Sequence, residues 1–100
     1  MKIITEGYNY ELANVGEGAQ TLQFIQKEPT GVGDELKTVT DGTTNEEVLA
    51  MLIDRLNFLQ QKLPAVENAR VIRMLQESLT LLQRRTDDRL RRKVEGTSAK

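Results

Sequence analysis

Residues 44–63, TNEEVLAMLIDRLNFLQQKL, decide the fold because their apolar side chains recur at the spacing of an α-helix. Successive positions lie four, four, three and four residues apart, on one helix face: Val48, Leu52, Leu56, Leu59 and Leu63. Thr44 and Glu47 have the form of a capping box, in which the two side chains satisfy free amides at a helix start. The sequence predicts a helix that begins after Thr44 and ends before Pro64, because the residue preceding a proline disfavours helical geometry.

A second helix is predicted to start within a few residues of this proline and to extend to about Lys93. Its apolar positions are spaced by three, four and three residues: Ile72, Leu75, Leu79 and Leu82. A connection this short makes the two helices antiparallel neighbours. The sequence therefore predicts a long helical hairpin over residues 44–93 and a flexible tail over residues 94–100.

The residues before the hairpin show the period of two that is typical of half-buried β-strands. Apolar and polar side chains alternate in YNYEL, residues 8–12, and residues 21–25 form a second run that favours β structure. Shorter strands are predicted near residues 2–5 and 36–40. The predicted fold class is α+β: a single domain with a small antiparallel β-meander over residues 1–40, followed by the hairpin.

The composition excludes several classes of enzyme. The 100 residues include no histidine and no cysteine, so Ser–His triads, Cys–His dyads and zinc hydrolases are ruled out. No carboxylate pair and no glycine-rich phosphate loop has a convincing spacing. We therefore expect a protein that is not an enzyme and that carries no metal and no cofactor.

Composition and charge also indicate partners and location. With 38% hydrophobic and 4% aromatic residues, a chain this small is marginal as a lone monomer, so we expect oligomerisation through the helices. Residues 1–80 hold seven Lys/Arg against twelve Asp/Glu, whereas residues 81–100 hold seven against three, which favours an anionic partner or a complementary subunit. No run approaches about 20 apolar residues, and the opening MKIITEGY lacks the apolar core of a signal peptide, so we expect a cytoplasmic protein without membrane contact.

Two departures from the helical pattern identify candidate functional residues. The stripe of the second helix reaches Asn68 in one direction and Arg89 in the other, with Arg85 one turn before Arg89. Such departures are expected mainly at functional sites or interfaces; alternatively, the second helix simply outruns the first and leaves a solvated basic end. Phe58 lies about 120° from the direction of Leu52, where it provides either a stacking platform for a base or part of a second core face.

Two segments carry a family resemblance: DGTTNEEVLAMLIDRLNFLQQKLPAVENA, residues 41–69, and LLQRRTDDRLRRKVEGT, residues 81–97. Both resemble the phage Thoeris anti-defence sponge family, and the strand region looks similar as well. The resemblance implies a phage protein that sequesters a cyclic ADP-ribose isomer of the 1''-3' glyco-cyclic type, made by TIR-domain defence enzymes. It also implies a hexamer, a trimer of dimers, with a separate site for cyclic di- and trinucleotides in some members.

The resemblance further implies a signal pocket formed by Phe58, Asn68, Arg85 and Arg89. Phe58 would stack on adenine, Asn68 would bind a ribose hydroxyl or base edge, and the two guanidinium groups would hold the diphosphate. Asn68 and Arg85 are 17 positions apart on one predicted helix, hence about 26 Å. A single pocket therefore requires the long helices of two chains to run antiparallel, so that each chain supplies half of each site.

Two other functions remain open at the level of sequence. A nucleic-acid-binding protein would use the basic helix on phosphates, although the basic segment is short and Asp87 and Asp88 interrupt it. A structural oligomeric adaptor would instead pair Arg85 and Arg89 with acidic neighbours across an interface. The absence of catalytic groups fits sequestration, which requires binding without turnover.

Overall fold

The computed structural model describes residues 1–92 and 97–98, and these residues form an antiparallel strand region followed by two helices. The predicted α+β class is confirmed. The elements in chain order are β1 (Lys2–Thr5), β2 (Asn9–Ala13), β3 (Ala19–Gln23), β4 (Gln26–Pro29), β5 (Leu36–Thr40), α1 (Asn45–Lys62) and α2 (Val66–Arg91).

The first three strands form an antiparallel sheet in the order β1-β2-β3. Tyr10 lies opposite Ile3 on one side and Leu22 on the other, so the predicted alternation over residues 8–12 corresponds to the central strand. The Tyr10 ring meets the Phe24 ring edge-on, with centroids 5.9 Å apart and planes at 87°, the geometry that aromatic pairs prefer. These contacts stabilise a sheet that buries little else.

The last two strands pair with each other in a separate antiparallel hairpin. The sequence prediction missed β4, because Gln26–Glu28 has no apolar alternation and its pairing with β5 is carried by the backbone. Beyond α2, Thr97 forms an antiparallel bridge with Glu35, and the Ser98 amide donates to the Asp34 carbonyl at 2.9 Å. The rest of the predicted tail, like the predicted helix end at Lys93, lies outside the described residues.

A short parallel contact joins the end of β3 to the segment that precedes α1. The Thr43 amide donates to the Gln23 carbonyl at 2.9 Å, and the Ile25 amide donates to the Thr43 carbonyl at 3.0 Å. Gly42 makes this approach possible, since a Cβ at this position would lie 2.5 Å from the Gln23 oxygen. A glycine is thus required here for steric reasons.

The two helices form the predicted hairpin. Helix α1 begins at Asn45, immediately after the predicted cap Thr44, and α2 packs against it. Near the open end of the hairpin, the Thr86 hydroxyl donates to a Glu46 carboxylate oxygen at 3.4 Å. Leu63, which the spacing placed on the packed face, instead follows the end of α1 and is 78% exposed.

The helical unit leaves much of its apolar surface uncovered. Among the described residues, Ile72 is the one buried hydrophobic side chain. Large hydrophobic side chains on the helices and their connection are exposed instead: Met51, Phe58, Leu63, Val66, Val71, Met74, Leu81 and Leu90. Neither helix, over the described residues, is long and apolar enough to cross a membrane.

The chain divides into two compact units, one containing residues 1–44 and the other containing residues 45–92. The strand unit also includes the two described residues beyond α2. The sequence-based assignment of one domain stays a prediction, and the helical unit carries all four predicted site residues.

Candidate functional site at the two ends of the hairpin

Phe58 and Asn68 lie near the connection between the helices. Phe58 is four residues before the end of α1, and Asn68 is the third residue of α2. The Phe58 ring is 55% exposed, so it is not part of the core that α1 and α2 form with each other. A large ring held this far out of the core is available to a ligand or to another chain.

The connection itself is held by one side chain. The Gln60 amide donates to the Ala65 carbonyl at 2.9 Å and accepts from the Ala65 amide at 3.0 Å. This bridge fixes the backbone immediately before α2, where Ala65 is extended with φ −143° and ψ 140°. The bridge therefore fixes the backbone at the start of α2, three residues before Asn68.

Arg85 and Arg89 lie at the opposite end of α2. This helix is continuous from Val66 to Arg91, so at 1.5 Å per residue Asn68 and Arg85 are about 26 Å apart. The structure places Phe58 and Asn68 toward the connected end of the hairpin and Arg85 and Arg89 at its other end, so the two pairs do not meet within one chain.

The two arginines have different environments. Arg85 is exposed and makes no hydrogen bond or ion pair to any residue that the structure describes. Arg89 is 6% exposed, although a charged side chain is rarely buried without partners. The Arg89 side chain is therefore held in place, while the Arg85 guanidinium group is accessible.

The neighbouring carboxylate Asp88 is engaged by other arginines. Its oxygens pair with Arg91 Nη2 at 2.9 Å and with Arg92 Nε at 3.0 Å. The hydrogen bond from Arg91 is the largest of the effects that hold the pKa of Asp88 below its ordinary value of 3.8. Asp88 thus partly neutralises the last turn of α2 and directs its oxygens to Arg91 and Arg92.

Two features of the surface were not predicted from the sequence. Lys62 Nζ lies 5.0 Å from the Phe58 ring centroid, and the i,i+4 spacing of the two residues was the available signal. Three shallow depressions along α2 are lined in part by Arg70, Arg73 and Arg84 and include none of the four predicted residues. Within the described ranges, no three carboxylates cluster closely enough to hold a metal ion.

The amino-acid sequence aligns with a phage protein named Thoeris anti-defense 1, from Bacillus phage SBSphiJ7. The two are 36% identical over 94 residues, and the alignment covers 85% of this chain. The chain belongs to the Thoeris anti-defence family. The family resemblance predicted from the hairpin segments is confirmed by this relationship.

The alignment covers 66% of the phage relative, which is therefore the longer protein. No family model and no solved structure matches the chain. Membership of the Thoeris anti-defence family consequently rests on the sequence relationship. The pocket residues Phe58, Asn68, Arg85 and Arg89 stay predictions.

Proposed function

We propose that this chain is a phage anti-Thoeris protein that binds and sequesters a cyclic ADP-ribose isomer without cleaving it. The observation that carries the proposal is the 36% identity to a protein named Thoeris anti-defense 1. The ligand is the finer part of the proposal. It is supported by an exposed aromatic ring and an accessible guanidinium group on one helical hairpin.

The pocket is formed between two chains. Because Asn68 and Arg85 are about 26 Å apart on one continuous helix, a ligand of nucleotide size reaches both only if a second α2 runs antiparallel to the first. Phe58 and Asn68 of one chain then meet Arg85 and Arg89 of its partner. A two-fold axis generates two such pockets in each dimer, and the exposed apolar side chains of the helices supply surface for that contact.

Each residue has a role that follows from its chemistry. The Phe58 ring stacks on the adenine base, as aromatic rings do on bases of any sequence. The Asn68 amide offers both a donor and an acceptor to ribose hydroxyls or a base edge. The accessible Arg85 guanidinium group binds the diphosphate, for which its planar, multiply donating geometry is suited. Arg89, which is 6% exposed in the single chain, adds its guanidinium group only if its side chain turns toward the ligand in the dimer.

Sequestration then proceeds by binding alone. A chain without histidine or cysteine lacks the commonest general base and the thiolate nucleophile. By binding the signal in the cytoplasm of the infected cell, the protein keeps it from the downstream effector and so prevents activation of that effector. Assembly of three dimers into a hexamer, and a second site for cyclic di- or trinucleotides, are further parts of the proposal that rest on the family.

Native mass spectrometry of the purified chain tests the proposal directly. The protein is measured alone and with the TIR-made cyclic ADP-ribose isomer, ordinary cyclic ADP-ribose, a cyclic dinucleotide and a cyclic trinucleotide. We expect even-numbered assemblies that gain one intact cyclic ADP-ribose isomer per chain. A monomer, or an oligomer that retains none of the four compounds, would overturn the proposal.

A further inference from the structure

The Phe58 ring has a cation on one of its faces. Lys62, the last residue of α1, places Nζ 5.0 Å from the ring centroid, inside the range of about 6 Å in which cation–π attraction acts. No carboxylate in the part of the chain that the structure describes pairs with Lys62. The ring is nevertheless 55% exposed, so the contact leaves surface uncovered.

We propose that Lys62 is a further binding residue of the pocket, and this inference rests on the proposed function. Its ammonium group covers one face of the Phe58 ring, so the base stacks on the opposite face. A single ring face is thereby selected for the ligand, and the positive charge of Lys62 lies beside an anionic ligand.

Two physical effects make this arrangement favourable. A cation on one face of an aromatic ring attracts π-electron density, which makes the other face a better platform for an electron-rich purine. The diphosphate carries two negative charges, and Lys62 adds a third cation to those of Arg85 and Arg89. Lys62 also pins the Phe58 ring before binding, which lowers the ordering cost of association.

Arg55 provides a matched comparison. It lies three residues before Phe58, on the same side of α1 as Lys62, and it is also exposed. The structure records a cation over the ring for Lys62 and not for Arg55. Removing the charge at residue 55 therefore measures how much a cation on this side of α1 contributes to ligand affinity in general. Removing the charge at residue 62 measures that contribution together with the contribution of the ring contact.

The test is isothermal titration of the TIR-made cyclic ADP-ribose isomer into five variants of the full chain and the original protein. Lys62→Met retains the stem of the side chain and is expected to weaken binding roughly three- to tenfold. Lys62→Arg retains a cation and should bind like the original. Arg55→Met should change affinity by less than about twofold, since exposed charges are screened.

The fourth variant is Phe58→Ala, and the fifth combines Phe58→Ala with Lys62→Met. We expect it to bind no more weakly than Phe58→Ala alone, because the Lys62 effect requires the ring. Equal affinity of Lys62→Met and the original protein, or equal losses in Lys62→Met and Arg55→Met, would overturn the role of Lys62 while leaving the proposed function intact. Failure of the original protein to bind would instead overturn the proposed function, and the role of Lys62 with it.

Folding of the variants is checked by circular dichroism and by native mass spectrometry. Lys62 is in the last turn of α1, where a cation also stabilises the helix end. If Lys62→Met binds weakly only because α1 has frayed, the variant will also lose helical circular dichroism signal or change its oligomeric state. That outcome would assign Lys62 a structural role and contradict the proposal.

Discussion

Gln60 and Ala65 are joined by two hydrogen bonds of opposite direction, at 2.9 and 3.0 Å, across the connection between α1 and α2. The side-chain amide satisfies both the carbonyl and the amide of one backbone residue. Pro64 lies between them and ends α1. The hairpin is thus closed by a side chain at the point where Pro64 interrupts the helical hydrogen bonds.

Replacing Gln60 with leucine should therefore destabilise the hairpin. Both hydrogen bonds are part-buried, and each contributes about 0.5–1.5 kcal/mol net, so we expect a loss of about 1–3 kcal/mol in the free energy of unfolding. Urea denaturation followed by circular dichroism measures it, at one protein concentration because oligomers gain stability by mass action. Gln61→Leu, at the exposed neighbouring position, is the control; an equal loss in both variants would contradict the role of the bridge.

Substitution of Gly42 should also destabilise the protein, in this case for a steric reason. A Cβ there would lie 2.5 Å from the Gln23 oxygen and 2.6 Å from the Phe24 carbonyl carbon, and both are backbone atoms. Gly42→Ala should lower the free energy of unfolding by about 1–3 kcal/mol and shorten the exchange lifetime of the Thr43 amide. In Gly16→Ala the added methyl group meets nothing within 4 Å, so this variant should have nearly unchanged stability.

The pH dependence of stability should include a small contribution from Asp88. Its pKa in the folded protein lies below the ordinary value of 3.8, so the unfolded chain takes up the proton first. The stabilising contribution is therefore complete above the ordinary pKa and is lost as the pH falls through the lowered one. Because the carboxylate is exposed, solvent screens the effect and keeps it small.

Asp88→Asn tests this contribution. Thermal unfolding between pH 2 and 7 should show a shallower acid-side fall for Asp88→Asn than for the original protein. Coinciding profiles for Asp88→Asn and the original protein would show that the Arg91 and Arg92 pairs contribute nothing to stability.

The two-chain pocket predicts complementation between defective chains. Arg85→Ala and Asn68→Ala each should assemble normally and capture little ligand. Co-expressed in equal amounts, they form mixed dimers in which one pocket has both intact halves, so random pairing restores about a quarter of the original capacity. Titration of the mixture with the cyclic ADP-ribose isomer measures the recovered sites, and the absence of recovery would contradict a pocket divided between chains.

The helical half of the fold could be predicted because its signals are local. The spacing of Val48, Leu52 and Leu56, the cap at Thr44 and the stop at Pro64 each act within one or two turns of chain. The strand β4 could not be predicted, because its pairing depends on β5, and residues 26–28 carry no alternation of their own. The exposure of Leu63 was missed because helical spacing alone does not mark the last residue of α1.

The candidate site residues stay predictions, and the sequence signal for three of them is a break in a pattern. Asn68, Arg85 and Arg89 break the apolar pattern of α2, and that break is visible in the sequence. The position of Lys62 over the Phe58 ring could not be predicted, because i,i+4 spacing allows the contact but does not fix the side-chain conformations that form it. The 26 Å between Asn68 and Arg85 follows from helix geometry as soon as α2 is known to be continuous.

The continuity of α2 makes the number of binding sites in the proposed sponge depend on protein concentration. A pocket whose halves lie on different chains exists only after two chains have met, so at low concentration the number of binding sites grows with the square of the amount of protein made. Once dimers saturate, the growth becomes linear. An infecting phage would thus gain little protection from the first copies translated and would cross rapidly into full protection as expression passes the dimer dissociation constant.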